Sequence, residues 1–180
     1  SGIQAGVASR GLSPNRSWEF NVRQNSYDIS SEAFGYPESY YTPPMEALKK
    51  IEVIRGAASL QFGPQFGGLI NYQLKKGNPT KPISFETQQT VGSYGLFNTY
   101  NAVGGTYKKF SYYGFLHHRV AEGWRNNSRY SIYTGHFSAN YQLTKKIKIE
   151  GEYTKMNYQS QQPGGLTDSD YAENNRQSFR

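Results

Sequence analysis

From residue 79 onward, apolar and polar positions alternate with a period of two, the repeat of a β-strand. The segment 131–143 shows it most plainly. Tyr133, Gly135, Phe137, Ala139, Tyr141 and Leu143 fall on one face, and Thr134, His136, Ser138, Asn140 and Gln142 on the other. The segment 146–157 repeats it, with Ile147, Ile149, Gly151 and Tyr153 against Lys148, Glu150, Glu152 and Thr154. Weaker versions cover 82–91, 97–107 and 109–119, and in the latter two the apolar face is ambiguous. Five strands are therefore predicted, each of 10 to 13 residues. Soluble strands are typically about 5–6 residues long. A tilted strand that crosses a membrane needs about 9–11. The connections alternate as well: 107–109 and 143–146 are tight, whereas 121–130 and 159–180 are long. Outer-membrane barrels have short turns on the periplasmic side and long loops outside. A soluble sandwich or lipocalin-like barrel would also alternate, but with shorter strands and its polar face in solvent.

Residues 1–78 follow a different pattern, dense in Gly and Pro. Strands are predicted at Gly6–Leu12 and Glu19–Ile29, with a turn at Ser13-Pro14-Asn15-Arg16 between them. Thr42-Pro43-Pro44 reads as the start of a short helix over Met45–Lys50, with Lys49 and Lys50 favoured at its C-terminal end. Strands follow at Ile51–Ile54 and Leu69–Leu74, separated by a Gly-punctuated loop. The division is thus a small α+β unit over 1–78 and antiparallel strands over 79–180. The polar stretch 159–180 reads as a loop, and the chain as a piece of something longer.

Composition narrows the classes. Hydrophobic residues make up 36% and charged residues 18%, both below the usual globular values of about 45–50% and 25%. There is no Cys, which removes disulfides and thiolate metal sites. Aromatics at 16% argue against disorder. The 16 Tyr are expected in girdles and loops rather than in a core. The net charge of +7 would permit nucleic-acid binding, but no basic helix or RNA-binding aromatic motif accompanies it. No spacing assembles paired catalytic carboxylates or a Ser/His/Asp set, so an enzyme is not expected.

The most specific stretch runs from Ile51-Glu52-Val53-Ile54-Arg55-Gly56 through Ser59, Phe62-Gly63 and Gly67-Gly68 to Ile70-Asn71. It resembles the plug signature of TonB-dependent outer-membrane receptors, and Ser9-Arg10-Gly11-Leu12 resembles an upstream plug strand. Gly35-Tyr36-Pro37-Glu38-Ser39-Tyr40-Tyr41-Thr42-Pro43-Pro44, and Pro163-Gly164-Gly165-Leu166-Thr167-Asp168 with Asn175-Arg176-Gln177-Ser178 downstream, are similar to segments of the ferric dicitrate branch. The resemblance implies the C-terminal part of a plug (1–78), then the first strands of a transmembrane β-barrel of about 22 strands (79–180). Five strands cannot close, and an open edge in lipid leaves backbone groups unsatisfied.

The resemblance implies import of a ferric chelate, such as ferric citrate, across the outer membrane of a Gram-negative bacterium. The partners would be TonB with its inner-membrane motor and outer-membrane lipid including lipopolysaccharide. No tightly bound cofactor, resident metal or nucleic acid is expected. A glycan, peptide or haem receptor of the same fold, or a β-rich adhesin, is the alternative. Arg10 and Arg55 match plug arginines that pair with wall glutamates. Gly56, Gly63, Gly67 and Gly68 are expected to be structural, through positive φ and close backbone approach. Candidate substrate contacts are Tyr36, Tyr40, Tyr41 and Gln65 in the plug, and Arg125 and Arg176 in external loops, where Arg129 and Arg180 also lie. His117 and His118 are adjacent on one strand and so face opposite sides, unable to share a lumenal metal. His136 is expected to hydrogen-bond in the lumen.

Overall fold

The computed structural model describes residues 20–30, 41–55 and 67–179. The chain divides into two compact units, residues 2–75 and 76–180.

The first unit is a four-stranded sheet in the order β2-β1-β4-β3, from β1 (Phe20–Gln24), β2 (Tyr27–Asp28), β3 (Leu48–Ile54) and β4 (Gly68–Leu74). Where one strand is predicted over Glu19–Ile29, the described part is a hairpin, Phe20–Gln24 and Tyr27–Asp28: Asn25 and Ser26 take φ of 47° and 76° and reverse the chain. Two successive positive φ values are the geometry of a tight primed turn. β4 lies parallel to β1 and antiparallel to β3. Val22, Ile70 and Tyr72 form its buried cluster, with Ile29 and Leu48 against it.

The helix predicted over Met45–Lys50 is not formed. A single 3-10 turn, Met45–Ala47, leads into β3 at Leu48. A six-residue helix satisfies few of its own backbone groups. As a strand the same segment pairs along β4 from Leu48↔Leu74 to Ile54↔Leu69. Lys49 and Lys50 therefore sit on a strand.

One face of this sheet is a polar lattice centred on Glu52. Its carboxylate accepts from Lys50 Nζ at 2.6 Å, Asn71 Nδ2 at 2.8 Å and Gln73 Nε2 at 2.8 Å. The Lys50 and Asn71 contacts hold the Glu52 carboxyl below its ordinary pKa. A depressed acid stabilises the fold above its unfolded pKa and loses that contribution as pH falls through the folded value. Glu52→Gln should remove this acid sensitivity. The opening free energy of β3–β4 amides, from hydrogen exchange corrected for the intrinsic rate at each pH from neutrality down to about pH 3, should fall less steeply in the variant than in the wild type. Equal slopes would refute it.

The second unit is one antiparallel sheet in sequence order: β5 (Ser84–Gly92), β6 (Leu96–Tyr107), β7 (Phe110–Ala121), β8 (Tyr130–Gln142) and β9 (Lys148–Ser160). All five predicted strands are present, with ends moved by up to three residues. A short helix, α1 (Asp168–Glu173), lies in the segment read as loop. Thr167 caps it in a reciprocal box with Asp170. No helix among the described residues is long and apolar enough to cross a membrane.

Register settles the two ambiguous strands. One face carries the rows Tyr107–Phe110–Tyr141–Ile149, Gly105–Tyr112–Ala139–Gly151 and Phe85–Val103–Gly114–Phe137–Tyr153. This apolar face is solvent-exposed here, Phe85 at 78% and Leu116 at 71%, as suits a surface made for lipid. The other face is polar at its margins but not at its centre. Tyr100, Tyr113, Phe115 and His136 are buried there in one cluster, with Tyr100–Phe115 and Phe115–His136 ring centroids 5.4 and 5.3 Å apart. The Tyr100 and Tyr113 hydroxyls hydrogen-bond to each other. This corrects the expectation that tyrosines serve girdles and loops alone: a phenol can be buried once its hydroxyl finds a partner. His117 and His118 do face opposite ways. His117 Nε2 lies 2.7 Å from Asn98 Oδ1, and His118 stacks on Tyr133 at 3.9 Å. His136 Nδ1 lies 2.8 Å from Thr154 Oγ1.

The entry to β5 is clamped. A Cβ on Gly77 would fall 2.3 Å from Tyr112 O, and one on Gly105 would fall 2.1 Å from Pro82 O. Thr106 N donates to Lys81 O at 2.9 Å, and Tyr112 OH to Pro82 O at 3.1 Å. Asn78 Oδ1 receives the amides of Thr80 and Lys81. Lys76 Nζ reaches Glu150 Oε1 at 3.0 Å, and Lys148 binds the same carboxylate at 2.6 Å.

Candidate functional site

At the end of the sheet where the long connections lie, three segments converge. They are the tight β5–β6 turn, the β7–β8 loop and the chain after β9. Tyr94 and Gly95 shape the turn with φ of 58° and 66°, and Glu122 N donates to Tyr94 O at 2.9 Å. Gly123 has φ +80°, and a Cβ there would lie 2.5 Å from Ser128 Cβ, so the loop folds back on itself only with glycine.

Backbone bonds knit the loops together. Asn126 N donates to Arg176 O at 2.8 Å, Gln161 N to Arg129 O at 2.8 Å, and Phe179 N to Pro163 O at 3.1 Å. Arg125 is the main cross-brace. Its Nη1 donates to Gly164 O at 2.8 Å, its Nη2 to Gln177 O at 2.9 Å, and its Nε to Gln177 O at 3.3 Å. The planar fork spans two carbonyls that a lysine could not reach together.

The result is a polar cleft of about 370 Å³, lined by Tyr94, Glu122, Trp124, Arg125, Arg129 and Arg176 among others. The Arg176 guanidinium sits 5.9 Å from the centre of the Tyr94 ring, within cation–π range. Arg129 Nε lies 3.5 Å from Glu122 Oε1, with both side chains 61% exposed, so the pair contributes little to stability. The lining thus holds three guanidinium groups and one carboxylate, which pairs with Arg129. Arg125 meets only neutral carbonyls, so its charge is not cancelled by them. Such a cleft attracts anions and can bind carboxylates in bidentate fashion.

Arg125 and Arg176, both picked from the sequence, are brought together here. Tyr41 is half-buried in the first unit. Arg55 is exposed just after β3. Gly67 is buried, and Gly68 opens β4 at φ +108°, where a Cβ would meet Ile54 O at 2.5 Å. Arg10, Tyr36, Tyr40, Gly56, Gly63, Gln65 and Arg180 lie outside the described residues. Sequence reasoning did not pick Tyr94, Trp124 or Glu122. Their signal was local: each stands beside Gly95 or Gly123, where a turn presents its neighbours. Among the described residues, no group of three His, Asp or Glu side chains could hold a metal ion.

A small mixed sheet followed by long meandering strands, greasy on one face, is the fold of the plug and opening barrel strands of TonB-dependent receptors. The chain is similar to the unliganded ferric citrate transporter FecA, with a TM-score of 0.80 and 21% identity over 95% of this chain and 27% of that one. It is similar to the copper transporter OprC, with a TM-score of 0.68 and 17% identity over 82% and 24%. It is also similar to the siderophore receptor PirA from Pseudomonas aeruginosa, with a TM-score of 0.55 and 19% identity over 84% and 28%. The chain spans about a quarter of the length of each. No protein-family model matches the chain, and no curated protein sequence does.

Proposed function

We propose that the chain is part of an outer-membrane receptor that imports an anionic ferric chelate, with TonB supplying the work and no catalytic chemistry of its own. The observation that carries this reading is the cleft on the loop side of the sheet, whose lining holds Arg125, Arg129 and Arg176 against one carboxylate, Glu122, that pairs with Arg129. A citrate-type chelate presents several carboxylates around a ferric ion, and forked guanidinium groups match that chemistry. Trp124 and Tyr94 add flat surface for the ligand's apolar edge. The likeness to a ferric citrate transporter agrees with this substrate class. Copper as a bare ion fits less well, because the cleft lining includes no His or Met. Arg10 and Arg55 are proposed to pair with wall carboxylates, and Tyr36, Tyr40, Tyr41 and Gln65 to meet ligand from the plug side. The surrounding partner is outer-membrane lipid.

The test is growth and radiolabelled iron uptake of a deletion strain with ferric citrate as sole iron source. Uptake should vanish and return with the full-length gene. The double variant Arg129→Ala/Arg176→Ala should raise the half-saturating chelate concentration about tenfold or more, since each charge-assisted contact contributes about 1.5–3 kcal/mol. Unchanged uptake in the deletion strain would overturn the ferric citrate reading.

A further inference from the structure

The three arginines of the loop cleft are held in three different ways. The Arg125 fork is engaged by the carbonyls of Gly164 and Gln177. The Arg176 guanidinium lies over the Tyr94 ring, and its backbone carbonyl accepts from Asn126. Arg129 faces a carboxylate, that of Glu122.

The backbones of this last pair are fixed and their side chains are not. Arg129 N donates to Gln161 Oε1 at 3.2 Å, and Gln161 N donates to Arg129 O at 2.8 Å. Glu122 N donates to Tyr94 O at 2.9 Å. The Glu122 stem passes over Gly95, where an added Cβ would come within 3.1 Å of Glu122 Cγ. Yet Arg129 Nε and Glu122 Oε1 stand 3.5 Å apart, each side chain 61% exposed. A guanidinium bonded to a carboxylate closes to about 2.7–2.9 Å. The contact is therefore a loose ionic one, and the backbone bonds hold the loops without it.

A carboxylate that does little for the loops weakens an anion site. Glu122 is the one acidic side chain in the lining, so three guanidinium charges less one carboxylate leave a formal charge of +2. A ligand carboxylate can close on Arg129 to full hydrogen-bond distance, which Glu122 does not, and so displaces it readily. The displaced Glu122 stays tethered in the cleft wall by its backbone. There it repels every negative charge the ligand carries, against the attraction of the arginines.

We infer that Glu122 sets the charge selectivity of the cleft. It stands in for a ligand carboxylate on Arg129 while the cleft is empty. Once displaced, it flattens the gain in affinity that each added ligand charge would bring. Chelates of low negative charge are thereby admitted without being displaced by more highly charged polycarboxylates. A like charge placed beside a binding surface is a general means of rejecting wrong partners. The inference deepens the proposed function and rests on the cleft as its anion site.

The experiment titrates the full-length receptor in detergent, by calorimetry at neutral pH, with lactate, malate and citrate. These α-hydroxy acids carry one, two and three carboxylates. Ferric citrate binding is measured alongside. In Glu122→Gln each step of this series should widen about threefold relative to the wild type, the interaction of two unit charges about 6 Å apart in water. Glu122→Asp should keep the wild-type steps, which separates charge from folding. In about 1 M salt the two series should converge. Equal steps in wild type and Glu122→Gln overturn the inference, as does a difference that survives high salt. If ferric citrate binds while the steps are equal, only the role of Glu122 falls. If the steps widen while ferric citrate does not bind, the charge selectivity stands and the ferric citrate reading falls. Binding of neither overturns both.

Discussion

Replacing Arg125 with lysine in the full-length receptor should weaken chelate binding by about ten- to a hundredfold while the barrel still assembles. The charge is kept, so a purely electrostatic role would leave affinity almost unchanged. The structure gives Arg125 a second task. Its three N–H groups reach two carbonyls, Gly164 O and Gln177 O, on the segment that closes the cleft. An ammonium can satisfy one of these in good geometry and leaves the other loose. Losing one or two charge-assisted bonds costs about 1.5–3 kcal/mol, or one to two decades in affinity. Trp124 lies in the cleft, 41% exposed, so its fluorescence reports the titration. Binding within twofold of the wild type would show that the brace is dispensable.

A methyl group at Gly105 should prevent proper assembly. The Cβ of Gly105→Ala would stand 2.1 Å from Pro82 O and 2.4 Å from Pro82 C, both backbone atoms. No rotamer can relieve that contact, so either the entry to β5 lifts away or β6 bends. Overpacking of this kind costs about 1–3 kcal/mol and more where backbone must move. Lifting the segment also breaks the Thr106–Lys81 bond. Gly151→Ala is the control, because a Cβ there meets nothing within 4 Å. Full-length Gly105→Ala should yield little heat-modifiable, folded barrel in the outer membrane, and Gly151→Ala a normal amount. Equal yields would remove the clamp from the description.

Sequence alone revealed the strands because each must present one greasy face along its whole length, and period two survives any error at the ends. It left β6 and β7 undecided for a physical reason. Their Tyr100, Tyr113 and Phe115 are buried on one side while Phe97, Phe110 and Leu116 are exposed on the other, so both faces look apolar. It misread Met45–Lys50 because capping signals are local, whereas the pairing of β3 with β4 crosses from residue 54 to residue 69. Arg125 and Arg176 could be named from their loops. Their convergence with Tyr94 could not, since the three lie on separate segments joined only by folding. The tight glycines show the same limit: a plug motif drew the eye to Gly67 and Gly68, while Gly77 and Gly105 depend on backbone that approaches from elsewhere.

The clamp at the start of the second unit also fixes how the first unit would respond to tension. β4 runs to Leu74, and Lys75 leads directly to the held residues Lys76 and Gly77. β1 lies parallel to β4, in register from Phe20↔Gly68 to Gln24↔Tyr72. A pull on the chain upstream of Phe20, resisted at the clamp, therefore draws the leading end of β1 against the trailing end of β4. In a parallel pair those two ends are at opposite ends of the ladder. Every rung is then strained together in shear, and none can be peeled off ahead of the next. Under such a load the sheet behaves as a latch that yields in one step at a threshold force, not as a zipper that opens gradually.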